Sequence, residues 1–413
     1  MKDLKWHDAL QLGALLLVAA AMPISWYFGF WSAMFLAFAS LVKLVLRRRI
    51  GNPALDKQLR WPLYAMLAYW LGIALSTLWS SDVYEAMRVV SLKASMLVFP
   101  LSLLTTDTTY LRRRHLRLLG YALVASCLVM FVYWMTRTIV EAIAENSISD
   151  FGSMSFDTRH HSYIALYLTV ALTFIYFELV TNWDTLYKGL RAALVAAIPL
   201  LILYAVLINS RAGLLCLLIV EVACMLHWAL IRRRGWKALP FALLLVGFTV
   251  GVGSVIPGHE NRLLATFVDL RSEQPEDPRL KIAAAARRVA LDSPWIGYGV
   301  GDYRDELLEA YAADGYEAGV RHQANAHNQY LESILAAGVG NLLLWVAFLL
   351  MPVVIAFVRR SDSIGLLLVL TFVFAFNSLF ESMLERQMGV LFFGLVYAVM
   401  VLVMSTEAKP QNV

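Results

Sequence analysis

Residues 336–357 read AAGVGNLLLWVAFLLMPVVIAF, an apolar run without one Asp, Glu, Lys or Arg, followed closely by the basic pair Arg359-Arg360. A helix rises about 1.5 Å per residue, so this run suffices to cross the roughly 30 Å hydrocarbon core of a bilayer. Inside lipid the backbone has no water to bond to, and a helix satisfies it from within. Working outward, comparable blocks fall near 9–23, 25–46, 61–80, 89–104, 117–140, 160–181, 192–210, 212–231, 238–257, 364–381 and 388–404. The count is twelve spans. Composition agrees: the 413 residues are 60% hydrophobic and 16% charged, and the mean hydropathy is +0.64, whereas soluble domains are nearer one-half apolar and one-quarter charged. One water-soluble core is excluded. The expected fold is an all-α integral membrane protein of about 12 transmembrane helices with one large loop that itself contains helices.

Basic clusters give the orientation. Arg47-Arg48-Arg49 with Lys57 and Arg60, Arg112-Arg113-Arg114 with Arg117, Arg232-Arg233-Arg234 with Lys237, and Arg359-Arg360 all fall on one side of a twelve-span count. The positive-inside rule makes that side the cytoplasm, with both termini there. Met1–His7 and the apolar stretch after it resemble a signal peptide, but no small-residue cleavage site precedes a soluble region, so they are read as the start of the first span. Cys127, Cys216 and Cys224 sit inside apolar blocks, which points to packing rather than to disulfides or a thiolate metal site. The net charge of +5 is modest and concentrated in short loops, unlike the basic face of a nucleic-acid binder.

The opposite face carries connections around Ser80–Arg88, Thr136–Arg159, Asn209–Arg211 and Glu381–Gln387, and one long segment from Pro257 to about Asn325. With twelve Asp or Glu and eight Lys or Arg, that segment would be costly in hydrocarbon. The organisation is therefore helices 1–9 over 1–256, a periplasmic loop domain over 257–325, and a helix start plus helices 10–12 over 326–413. Within the loop, Asp277-Pro278-Arg279 looks like a helix start, Leu280–Leu291 a helical run, Ser293-Pro294 its end and Gly297–Gly301 a tight turn. A helical segment over Asp305–Ala313 follows, and another helix starts near Ala326 and leads into the tenth span.

Several polar residues on this face have a chemical reading beside a structural one. Arg211, in Asn209-Ser210-Arg211-Ala212-Gly213, is either a snorkelling anchor or a phosphate ligand whose planar guanidinium stays charged at any physiological pH. Arg279 opens a loop helix, where the helix N-terminus adds partial positive charge; Arg287 shares its face, but Arg287 and Arg288 read first as solvated surface. His327, in Asn325-Ala326-His327-Asn328-Gln329-Tyr330, is an interfacial residue or a general base near neutrality. Arg159, His160 and His161 anchor the sixth span or touch an anionic substrate. Arg88, closing the Ser80–Arg88 connection, snorkels or joins them. These groups come from separate parts of the chain, yet the charge rule places them at one membrane face, as a lipid-phosphate site requires.

His327-Asn328, nine further residues, then Gly338-Val339-Gly340-Asn341 resembles the histidine motif of O-antigen ligases, although Asn341 departs from the usual Gly, Thr or Tyr. Asn209-Ser210-Arg211-Ala212 is similar to that family's Ser/Thr-Arg element. Arg279-Leu280, Ser293-Pro294 and Gly297–Gly301 resemble its loop helix and glycine turn. The resemblance implies a transferase facing the periplasm from the bacterial inner membrane, taking a glycan from undecaprenyl diphosphate and joining it to a hydroxyl of lipid A-core. His327 would be the catalytic base, Arg211, Arg279, Arg159, His160 and His161 the donor-binding groups, and Asn328, Arg287 and Arg88 supporting residues. No cofactor and no metal are expected, since a diphosphate leaving group needs positive charge rather than a general acid and the chain has no Asp-x-Asp pair. The partners expected are the donor, the acceptor and membrane lipids, without nucleic acid. A polymerase or a protein O-oligosaccharyltransferase using the same donor remains open. A transporter or flippase would instead need midplane charges, for which Glu221 and Lys93 are the candidates, each also readable as a packing or paired residue.

Overall fold

The computed structural model describes residues 4–144, 161–232, 246–249, 251 and 278–407, and the regular structure among them is helical. The helices are α1 (Trp6–Ile24), α2 (Trp26–Arg47), α3 (Lys57–Leu75), α4 (Val83–Ala94), α5 (Val98–Thr105), α6 (Arg113–Ala144), α7 (His161–Asn182) and α8 (Lys188–Ile208). They continue as α9 (Arg211–Arg232), α10 (Pro278–Asp292), α11 (Tyr303–Ala313), α12 (Glu317–Arg321), α13 (Gln329–Val358), α14 (Ile364–Phe380) and α15 (Gln387–Ser405). Among the described residues, ten helical stretches are long and apolar enough to cross a membrane, with α4 and α5 counted as one stretch, Val83–Thr105. The 17-residue α14 covers the eleventh expected block. The ninth, near 238–257, lies outside the described residues except for 246–249 and 251.

Two expected boundaries are corrected. The fourth span starts at Val83 rather than near 89, because Asp82 caps it by accepting a hydrogen bond from the Glu85 amide at 2.8 Å. Arg88 thus lies in the second turn of α4 instead of closing a connection, and only Ser80–Asp82 joins α3's short 3-10 extension to α4. The helix expected from Ala326 begins at Gln329, where the Asn328 side chain caps it through the amides of Tyr330 (2.9 Å) and Leu331 (3.1 Å). The short α12 has no counterpart in the sequence reading.

The chain divides into two compact units, one formed by residues 1–119, 276–367 and 374–413, the other by 120–275 and 368–373. In the first, α15 is buried along nearly its whole length. Its Phe393 and Tyr397 meet Phe348 of α13 at ring separations of 5.0 and 4.5 Å, while Tyr69 of α3 lies 5.3 Å from Trp345. In the second unit α7 is buried on all sides from Ser162 to Thr173, as expected for a helix apolar all round. Gly213 of α9 has no room for a side chain, since a Cβ would lie 2.3 Å from that of Ala165, so α7 and α9 approach closely there.

One break organises the first unit. Ala337 (φ −144°) and Gly338 (φ +78°) leave helical geometry inside α13. In an unbroken helix the Leu335 carbonyl would accept from the Val339 amide. Instead the chain after α10 inserts: Tyr298 N–H donates to Leu335 at 2.8 Å, and Val339 N–H donates to the Trp295 carbonyl at 3.1 Å. Both freed groups are satisfied, which the hydrocarbon boundary demands. The same segment then docks on α3 and α4. Val300 and Gly301 amides donate to Ser76 (3.2 Å) and Ser80 (3.0 Å), and the Asp302 carboxylate accepts from the amides of Ser81 (2.6 Å) and Asp82 (2.8 Å). The glycine turn 297–301 is thus a clamp that fixes α3, α4 and α13 relative to one another.

Candidate functional site

In the first unit the site is built at the start of α13. His327 stands one residue before the Asn328 cap with φ +44°, and its amide donates to the Asn325 side chain at 3.0 Å. Histidine tolerates that left-handed conformation better than most residues. Its ring faces the connection between α14 and α15, where Nδ1 lies 3.1 Å from Oε1 of Glu381, a carboxylate only 4% exposed against 25% for the imidazole. A buried carboxylate beside Nδ1 accepts a hydrogen bond from Nδ1–H and so favours the tautomer in which Nε2 carries the lone pair. Asn328 also ties the cap to α14 by donating to the Leu379 carbonyl at 3.1 Å. His327 is therefore oriented from two sides.

The Glu381–Arg386 connection continues as the floor of the site. Glu381, Ser382, Met383 and Leu384 are all buried, and Leu384 N–H donates to Gln329 at 2.7 Å. Glu385 receives Lys93 of α4 at 2.6 Å and Arg304 of α11 at 2.9 Å. Burial alone would raise the Glu385 carboxyl, but Lys93 and Arg304 outweigh it and hold the group down at about 2. Next to this pair Glu332, one turn into α13, accepts from the hydroxyls of Tyr303 and Ser382. Lys93, one of two midplane charges a transporter reading would need, thus has a buried structural partner. Six residues of connection hold both the histidine and Arg304.

In the second unit the ends of α7, α8 and α9 come together. Asn209 ends α8 in the left-handed conformation (φ +53°), and Ser210 caps α9 through the Gly213 amide at 3.3 Å. Arg211 is then the first residue of α9, where the helix dipole favours an anion. His161, the first residue of α7, donates from Nδ1–H to the Ile208 carbonyl, 2.8 Å away. The close approach at Gly213 and Ala165, one turn beyond His161, sets this neighbourhood. Glu221, the other midplane charge, lies 3.3 Å from the Thr249 hydroxyl.

The remaining expected residues distribute as follows. Arg279 is the second residue of α10 and half-buried; Arg287 is on the same, exposed side, opposite buried Ile282, Ala285, Ala286 and Val289. Arg288 pairs with Asp314 at 2.9 Å. Arg88 is held by Glu85, with Nε 2.6 Å from Oε2. Arg159 and His160 lie outside the described residues. Sequence reasoning missed Glu381, Glu385, Glu332 and Arg304. A usable signal was Lys93: a lysine inside a span requires an anion, and the carboxylates of the 381–387 connection were candidates on the same side. Among the described residues no group of three or more His, Cys, Asp or Glu is arranged to hold a metal ion.

Helices of spanning length with a polar, hydrogen-bonded cluster at their ends define an all-α multi-pass membrane protein. Residues 195–346 match the family model described as O-antigen ligase, so this segment of the chain is similar to that family. The match includes Arg211, Arg279, the 297–301 turn and His327, and it stops before Glu381 and Glu385. It supports a function of the O-antigen ligase and polymerase type, in which a lipid-linked glycan is the donor and a lipid carries the acceptor. No curated protein matches the chain.

Proposed function

We propose that the protein is an O-antigen ligase that transfers a glycan from undecaprenyl diphosphate to a hydroxyl of lipid A-core, at the periplasmic face of the bacterial inner membrane and without a metal. The observation that carries this reading is the His327–Glu381 pair at 3.1 Å, in which His327 stands at the capped start of α13 within the matched segment. With Nδ1–H held by the carboxylate, Nε2 accepts the proton of the acceptor hydroxyl while its oxygen attacks the anomeric carbon. The bond from that carbon to the diphosphate oxygen breaks, and undecaprenyl diphosphate leaves with the electron pair. Arg211 and Arg279 meet the charge that develops there, each at a helix N-terminus, with His161, Arg159 and His160 assigned to the same donor. Glu381 then faces an imidazolium rather than a neutral ring, which favours the transition state. A single displacement inverts the anomeric centre.

The test is lipopolysaccharide from a deletion strain, separated by gel, together with transfer by purified protein in nanodiscs. Loss of the whole ladder with lipid-linked glycan accumulating is expected. A single retained repeat would identify a polymerase instead. His327→Gln should lower transfer by about 10²–10⁴-fold, the usual contribution of a general base, with donor binding retained.

A further inference from the structure

A pocket of about 500 Å³ opens in the first unit between α4 and the α11 region, a size within the range of small-molecule sites. Its walls carry Asp82, Glu85 and Arg88 on one side and Arg304, Asp305 and Gln323 on the other, with the ring of Tyr84 at its edge. The walls are rigid where they matter. Asp82 is fixed by the Glu85 and Asp302 bonds, Arg88 by Glu85 at 2.6 Å, and Arg304 by Glu385 at 2.9 Å. Asp305 and Gln323 make no side-chain hydrogen bond among the described residues, so their polar atoms face ligand or water.

We infer that this pocket is a carbohydrate subsite that binds uncharged sugar rings through their hydroxyls. Charge selects the class. Two guanidiniums, each already bound to a carboxylate, are outnumbered by Asp82, Glu85 and Asp305, so a phosphate gains little here compared with the helix N-termini at Arg211 and Arg279. A cation meets the two guanidiniums. A sugar hydroxyl both donates and accepts: the carboxylates accept from it, while the remaining guanidinium and amide N–H groups donate to it. Tyr84, 83% exposed, offers an apolar face with a polar tip of the kind that packs on a ring's C–H side. The inference rests on the transferase reading in one respect. Arg304 is tied to Glu385 and His327 to Glu381 on the same connection, so a sugar seated against Arg304 is registered to the proposed base.

The sugar comes from the donor glycan or from the acceptor core, and the experiment separates them. The full-length protein in nanodiscs, free of glycosidic detergent, is followed by hydrogen exchange over 82–88 and 301–308. The probes are a delipidated O-polysaccharide fragment, a delipidated core oligosaccharide and inorganic pyrophosphate. One oligosaccharide is expected to protect both segments, identifying the source. Asp305→Asn and Gln323→Leu, with unchanged melting, should each weaken that protection about tenfold, the scale of one hydrogen bond lost at such a site. Protection by pyrophosphate alone, or by neither oligosaccharide at millimolar concentration, overturns the subsite. His327→Gln in the same preparation keeps the two readings apart. Transfer lost with protection retained supports both, and transfer retained with protection present removes the transferase base but leaves the subsite standing.

Discussion

At the scale of single residues, the two glutamates of one connection divide the work. Glu381 is argued to act through His327, so its effect should follow the charge of the imidazole rather than the fold. Glu381→Gln keeps an acceptor at Nδ1 but removes the counter-charge. It should lower turnover by about 10²-fold with little change in donor affinity, less than the roughly 10⁴-fold that the corresponding amide costs in a serine-protease triad, because His327 is partly solvated. Steady-state kinetics decide it, and a changed affinity with unchanged turnover would assign Glu381 to binding instead. Glu385 is the structural member. Its removal leaves Lys93 buried and unmatched, so Glu385→Gln should destabilise the protein by about 3–5 kcal/mol near neutrality, read from thermal or denaturant melting. The pH dependence follows from the depressed value. A carboxyl held at about 2 against an ordinary 4.5 contributes fully above about pH 4.5, and loses its contribution as pH falls through about 2. The gap between wild type and Glu385→Gln should therefore narrow over that window and stay flat above it.

At the scale of elements, the break in α13 carries the sharpest test, because two glycines two residues apart differ in every physical respect. A Cβ on Gly338 would lie 2.0 Å from the Trp295 carbonyl and 2.6 Å from Ile296, on a backbone at φ +78°. A Cβ on Gly340 meets nothing within 4 Å. Gly338→Ala must expel the 295–301 segment that carries the clamp or distort the helix, a backbone conflict expected to cost more than about 4 kcal/mol or to prevent folding. Gly340→Ala in a helix should be neutral or stabilising by up to about 1 kcal/mol. Equal melting temperatures for the two would mean that the clamp does not hold α13. This element also marks what the sequence could and could not convey. Apolar block length made the spans legible, and turn chemistry made the 278–292 helix and the 297–301 turn legible. Where the turn docks was not, since its partners at Ser76, Ser80 and Leu335 are distant in sequence and no local pattern pairs them. Arg88 was misplaced because Asp82 and Glu85 read as loop, although together they cap a helix. His327, Arg211 and Arg279 stood out as polar residues at block edges, whereas Glu381 and Glu385 were hidden in what looked like an ordinary short connection.

At the scale of the whole molecule, the proposed chemistry requires the α11 side of the first unit to face the compartment where the lipid-linked glycan is presented. α13 provides the ruler. It runs from Gln329, beside His327, to Val358, just before Arg359-Arg360, and its thirty residues are enough to separate the two membrane faces. The basic pair should stay in the cytoplasm by the positive-inside rule, so the His327 end is expected in the periplasm. Cysteines at Ala313, exposed at the end of α11, and at Asp362, exposed between α13 and α14, report the two faces without altering the Lys and Arg count. Native cysteines contribute little background, because Cys127, Cys216 and Cys224 are all buried. In intact cells, a small maleimide that passes outer-membrane pores but not the inner membrane should label Ala313→Cys. It should reach Asp362→Cys only after permeabilisation. The opposite pattern would place His327 in the cytoplasm, away from a donor presented in the periplasm, and the ligase assignment would fall with the topology.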